Sequence, residues 1–132
     1  MKIALWIIQV LLAAAFAMAG AMKAFQPIEA LAAQMAWVND VSPGLVRFIG
    51  IAELIGAVGL ILPSALRIQP RLSALAAAGL ALVMVLGSVF HLTRGENFAP
   101  PLVLFALSAF VAYGRWKLAP IAPKSAPDEQ DA

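Results

Sequence analysis

"RFIGIAELIGAVGLILP", residues 47–63, is apolar on both sides of a single carboxylate, Glu53. The stretch reads as a membrane helix, and an ionisable group near the centre of such a helix needs a function, a partner or a proton. Without a cation beside it, Glu53 would sit neutral, ready to carry a proton or donate a hydrogen bond. With Lys23 or Arg47 beside it, the carboxylate would stay ionised.

The rest of the chain agrees with a membrane setting. Of 132 residues, 63% are hydrophobic and 12% charged, and the mean hydropathy is +0.92, outside the range of ordinary soluble domains. Residues 3–22 and 72–90 carry no charge, and residues 48–62 carry only Glu53. At about 1.5 Å per residue, runs of this length cross a hydrocarbon core of roughly 30 Å. Residues 98–113 form a shorter run, in which Pro100 and Pro101 suit only a first helical turn. The expected fold is all-α: a four-helix transmembrane bundle with spans at about 3–22, 44–62, 72–91 and 99–114, in a membrane domain covering 1–117. The remainder, 118–132, contains "PIAPKSAPDEQDA" and is expected to be a disordered tail, because it has too little apolar area to offset its ordering entropy. Lys2, an apolar run and the small residues Ala17, Ala19 and Gly20 also resemble a secretory signal. The run is longer than a typical signal core and further spans follow it, so a retained first span is expected.

Four spans put both termini and the second loop on one side, with Lys2, Arg67, Arg71, Arg115, Lys117 and Lys124. The other side holds Lys23, Arg47 and Arg94. The positive-inside rule then places both termini in the cytoplasm of a bacterial-type inner (plasma) membrane. A pI near 9.4 is explained by these flanks, which are scattered rather than clustered, so no nucleic-acid partner is expected. In the first outer loop, Ile28, Leu31, Met35 and Val38 recur at spacings of three and four, the mark of a short amphipathic helix. Its apolar face would lie in the membrane interface with Trp37 as anchor, or cover the outer mouth of the bundle. Interfacial packing is the simpler expectation.

Around Glu53, Gly50, Gly56 and Gly59 allow close helix packing. Candidate partners for ligand binding or proton transfer are Lys23, His91, Arg47, Gln9 and Glu96. Helical side chains lean toward their own N-terminus, which directs Lys23, Glu53 and His91 toward the outer half of one bundle. Along the membrane normal, Lys23 and Glu53 are expected about 13 to 15 Å apart at about 1.5 Å per residue, a gap for a water, Arg47 or a ligand to fill. Each residue also has a plainer role: Lys23, Arg47 and Arg94 as snorkelling interfacial cations, and His91 as a loop-end hydrogen bonder. With no cysteine and one histidine, the chain lacks disulfides, thiol catalysis, Cys-ligated metal and a bis-His haem of its own. No metal site and no intrinsic cofactor are expected.

"AFAMAGAMKAF", "IGIAELIGAVGLILP", "VFHLTRGE" and the closing "AYGRW" together resemble the DoxX-like family of small four-helix membrane proteins. The order Lys23, then Glu53 in a Gly-rich run ending at Pro63, then His91, carries the resemblance. It implies a link to quinones, electrophiles or redox stress; the family name comes from a subunit associated with thiosulfate:quinone oxidoreduction. Sulfur chemistry through covalent thiol intermediates is not supported in a chain without cysteine. The expected function is that of an accessory subunit, rather than an enzyme on its own. It would bind a quinone or small lipophile at Glu53, His91 and Lys23, beside a redox partner protein and the lipid bilayer, with a homo-oligomer open. Two alternatives stand. One is a proton-coupled transporter of the small multidrug type built on Glu53; the other is a non-catalytic assembly protein in which Glu53 only pairs across helices.

Overall fold

In lipid every backbone N–H and C=O must find its partner inside the protein, so long apolar runs coil. A computed structural model describes residues 1–124. In chain order they form α1 (Lys2–Phe25), α2 (Ile28–Gln34), a 3-10 turn (Ala36–Asp40), α3 (Pro43–Leu66), α4 (Arg71–Thr93), α5 (Ala99–Tyr113) and a π-helical segment (Gly114–Leu118). No strand occurs among the described residues. Three of these helices, α1, α3 and α4, are each long and apolar enough to cross a membrane, and the chain is a multi-pass membrane protein. The fourth bundle helix, α5, has only 15 residues, but the π-helical segment continues it directly to Leu118.

Local chemistry sets the boundaries. Ser42 Oγ accepts from the Leu45 N–H at 3.2 Å and Pro43 occupies the first turn, which starts α3. Pro100 and Pro101 fall in the first turn of α5, whose Ala99 N–H donates to Asn97 Oδ1 at 3.0 Å. Going round the bundle, α1 packs on α3, α3 on α4, α4 on α5, and α5 returns to α1. The α1–α3 seam is closed by glycine. A Cβ on Gly50 would stand 2.5 Å from Ala24 N and 2.8 Å from Gly20 O. Toward the termini, the α3–α4 seam is closed where Gly56 meets Leu80 and Gly59 meets Ala76, and Ser64 Oγ donates to Ser73 Oγ at 2.7 Å. Leu5, Leu12, Phe16, Leu60, Leu80 and Val111 fill the core between these seams.

The connection between α1 and α3 corrects the simpler of the two sequence expectations. Its apolar face turns into the protein: Leu31 and Val38 are buried with Val46, and Ile28 and Met35 pack against them. The reason is the offset of the two helices. Gly50 is already level with Lys23 and Ala24, so the start of α3, including Val46, stands beyond the end of α1. The α2 segment covers that bare surface. At the opposite end, Ala119 is buried, Arg67 Nε donates to Ala122 O at 2.9 Å and Lys124 N donates to Arg67 O at 2.9 Å. These contacts involve the first part of the expected tail; residues 125–132 lie outside the described residues.

Candidate ligand cavity and its ion pair

Lys23 Nζ donates to Glu53 Oε1 at 2.6 Å, with the Lys23 side chain 12% exposed and Glu53 1% exposed. The gap of about 13 to 15 Å expected from depth is therefore absent. That expectation set Lys23 at a membrane surface and Glu53 at mid-membrane. The glycine crossing instead places Gly20 against Gly50 and the Glu53 Cβ, with Gly50 against the Lys23 carbonyl carbon. The two charged residues are thus about one helical turn apart in depth, within reach of a lysine chain. Arg47 is not needed as a bridge. Its Nη1 donates to Lys23 O at 3.0 Å and Gln26 O at 2.6 Å, satisfying a carbonyl of the last turn of α1 and that of its C-cap residue, and complementing the negative end of that helix.

The ion pair lines a cavity of about 500 Å³ between the helices. Its walls are apolar and come from Ile49 of α3, Met84 and Phe90 of α4, and Leu104 of α5. Met35 and Trp37 close it from the α1–α3 connection, and His91 completes the lining. Lys23, Glu53 and His91 are its ionisable side chains. Trp37 meets Phe90 and His91 edge-on, with ring centroids 6.2 and 6.4 Å apart. The indole is thus part of the cavity's cover rather than a lipid-facing anchor.

Outside the cavity, the α4–α5 loop latches this cover. Arg94 Nη2 donates to Asp40 Oδ2 at 2.6 Å and Arg94 Nε to Glu96 Oε1 at 2.9 Å. His91 Nδ1 lies 3.0 Å from the same Glu96 oxygen. Arg94 first, and His91 second, hold the Glu96 carboxyl below its usual range. A carboxyl with a lowered folded pKa contributes stability above its unfolded value, about 4.3, and loses it as pH falls through the lower folded value. Thermal melts of wild type and Glu96→Gln are therefore expected to differ above about pH 4.5 and to converge below it. A difference that persists unchanged to pH 3 would contradict this ion pairing.

The sequence pattern of the DoxX-like family matches residues 7–111, a range that includes Lys23, Glu53 and His91. The chain belongs to the DoxX-like family. No curated protein and no solved structure matches it.

Gln9, the remaining candidate, is absent from the cavity of this DoxX-like chain and works at the end that carries the termini. Its Nε2 donates to Leu60 O at 2.7 Å and its Oε1 accepts from Arg115 Nε. Pro63 inside α3 has no N–H to offer the carbonyl four residues earlier, and Gln9 supplies a donor one residue further on. Arg115 is 3% exposed, donates through Nη1 to Ala119 O at 3.0 Å and lies over the Trp6 ring at 5.3 Å. In the sequence Arg115 reads only as a positive flank, and it lies beyond the matched family region. The signal that could have found it is the pair of one polar residue in a charge-free span and one arginine at the end of a neighbouring helix. Gln9→Leu leaves the Nε–H of a buried guanidinium without its acceptor and is expected to lower stability by about 2–3 kcal/mol in detergent melts. A loss under about 0.5 kcal/mol would show the bond to be dispensable.

Proposed function

We propose that the cavity binds a quinone or a similar small lipophile with hydrogen-bond-accepting oxygens, and that the chain acts as an accessory subunit of membrane redox or stress metabolism. The observation that carries this reading is an apolar cavity of about 500 Å³ whose lining includes a Lys–Glu ion pair and a histidine. Pockets for small ligands have this character: apolar walls with a few placed polar groups. Lys23 Nζ has three donors, of which one goes to Glu53; a quinone carbonyl would take another. His91, whose Nδ1–H would donate to Glu96, keeps Nε2 for the ligand: as imidazolium it would donate to a quinone oxygen, and as neutral imidazole it would accept from a quinol hydroxyl. Two-electron reduction of a quinone to its quinol takes up two protons, which Glu53 and His91 would relay. The electrons would come from a partner protein, because one histidine and no cysteine provide no ligand set for an iron–sulfur cluster or a bis-His haem.

The positive-inside rule supports cytoplasmic termini, with the cavity in the outer half of the membrane. A multidrug-type transporter is less well supported: a drug cation would have to take the place beside Glu53 that Lys23 Nζ already fills.

Trp37 provides the test. The other two tryptophans lie at the opposite end, Trp6 beside Arg115 and Trp116 beneath Arg71. In a Trp6→Phe, Trp116→Phe protein reconstituted in liposomes, a decyl-tailed benzoquinone is expected to quench Trp37 saturably. His91→Phe should weaken that binding at least tenfold. Linear quenching without saturation overturns the reading. Competition by a lipophilic cation such as tetraphenylphosphonium would favour transport instead.

A further inference from the structure

The cavity has two faces toward the surroundings, and they are treated differently. Toward the α2 end it is covered by Met35 and Trp37, and the cover is tied down by Arg94 and Asp40. Toward the bilayer its lining includes facing stripes of α3 and α4. On α3, Leu45, Ile49 and Glu53 line it at four-residue spacing; on α4, Val83, Leu86 and Phe90 do so at spacings of three and four. Each set forms one stripe along its helix. Seven residues on from Ile49 in α3 comes Gly56, and seven back from Val83 in α4 comes Ala76. The same two faces therefore run the length of the seam. Where Gly56 meets Leu80 and Gly59 meets Ala76 they touch; from Glu53 onward both line the cavity instead. The rim residues Leu45 and Leu86 are 44% and 62% exposed, and in a membrane-spanning bundle an exposed leucine on such a seam faces hydrocarbon.

We infer that the cavity takes a two-part ligand from the bilayer, its polar head seated on the Lys23–Glu53 pair and its hydrocarbon tail leaving between α3 and α4 past Leu45 and Leu86. This rests on the quinone-binding reading above and narrows it to a lipid-tailed member of that class. The volume agrees. About 500 Å³ lies within the range that encloses a drug-sized molecule, so it accommodates a ring-sized head and leaves a long tail outside. The occupant of the seam is thus a hydrocarbon chain continuous with the bilayer.

Because the chain has no cysteine, the seam can be tied selectively. In the variant with Trp37 as sole tryptophan, Leu45→Cys and Leu86→Cys are joined by a short bis-methanethiosulfonate linker and released by reduction. Equilibrium binding is read in liposomes by Trp37 quenching. Two benzoquinones with the same head group are compared, one with a decyl tail and one without. Linking is expected to weaken binding of the tailed quinone at least tenfold, reversibly, and to change that of the tail-free quinone less than twofold. Equal effects on the two, or no effect on either, would overturn the lateral seat while leaving the cavity's quinone binding intact. Absence of saturable quenching by both quinones in the reduced protein would overturn the binding reading itself, and this inference with it.

Discussion

Lys23→Met is expected to lower stability by about 3–5 kcal/mol, while Lys23→Met combined with Glu53→Leu is expected to fall within about 2 kcal/mol of wild type. The single change leaves a carboxyl group that is 1% exposed in an apolar wall with no other hydrogen-bond donor to it among the described side chains, so it must stay charged and unpaired or take up a proton, and either costs stability. The double change removes both charges, and with them the desolvation that opposes burying either one. The combined loss should therefore be far smaller than the sum of the single losses, the expected behaviour of two groups in direct contact. Melting in detergent gives the stabilities, and the quinone titration gives the other half of the answer. If the double variant is stable but no longer quenched saturably, the pair serves the ligand. If it is stable and still binds, the pair serves packing alone, which is the assembly reading. A double variant as unstable as Lys23→Met would mean that the pair is not the source of the single variant's loss.

Gly50→Ala is expected to disrupt the bundle more than alanine at any other glycine of α3. Its added Cβ would meet Ala24 N, Gly20 O and the Lys23 carbonyl carbon, at 2.5, 2.8 and 2.8 Å. All three are backbone atoms and cannot rotate away, so α1 and α3 must move apart. Overpacking of this kind costs about 1–3 kcal/mol where neighbours adjust, and about 3 kcal/mol or more is expected here. Separation at Gly50 also draws Lys23 from Glu53, so quinone quenching should weaken together with the melt. For Gly56→Ala the three nearest atoms all belong to the Leu80 side chain, which can turn, and the loss should be about 1–2 kcal/mol. Gly44→Ala, with nothing within 4 Å, is the control. Equal melting temperatures for the Gly50 and Gly44 variants would rule out so close a crossing.

Some of the candidate site was legible in the chain. A lone carboxylate in residues 48–62 marked Glu53, and the lean of helical side chains toward their N-termini placed Lys23 and His91 on the same side of the bundle. Other features were not legible, for reasons that differ from residue to residue. Arg47 looked like a bridge to Glu53 because its charge was visible and the carbonyls that it serves at the end of α1, Lys23 O and Gln26 O, were not. Arg115 looked like a surface flank because nothing local distinguishes a buried arginine whose partner, Gln9, is 106 residues away. Trp37 looked like an interfacial anchor because its actual neighbours, Phe90 and His91, belong to a helix more than fifty positions on.

By itself, the sequence determined that this chain crosses a membrane as helices, roughly where those helices begin and end, and which carboxylate has to be accounted for. These follow from the transfer of one segment at a time into hydrocarbon, which depends on that segment's composition and length. Only the tertiary structure decided that Lys23 meets Glu53 directly, that Met35 and Trp37 cover the cavity, and that α3 and α4 both line it on one side of Glu53. Those outcomes depend on the offset and crossing of neighbouring helices. Close contacts such as Gly20 on Gly50 and Gly56 on Leu80 set that geometry, and a contact between two helices is a property of neither one alone.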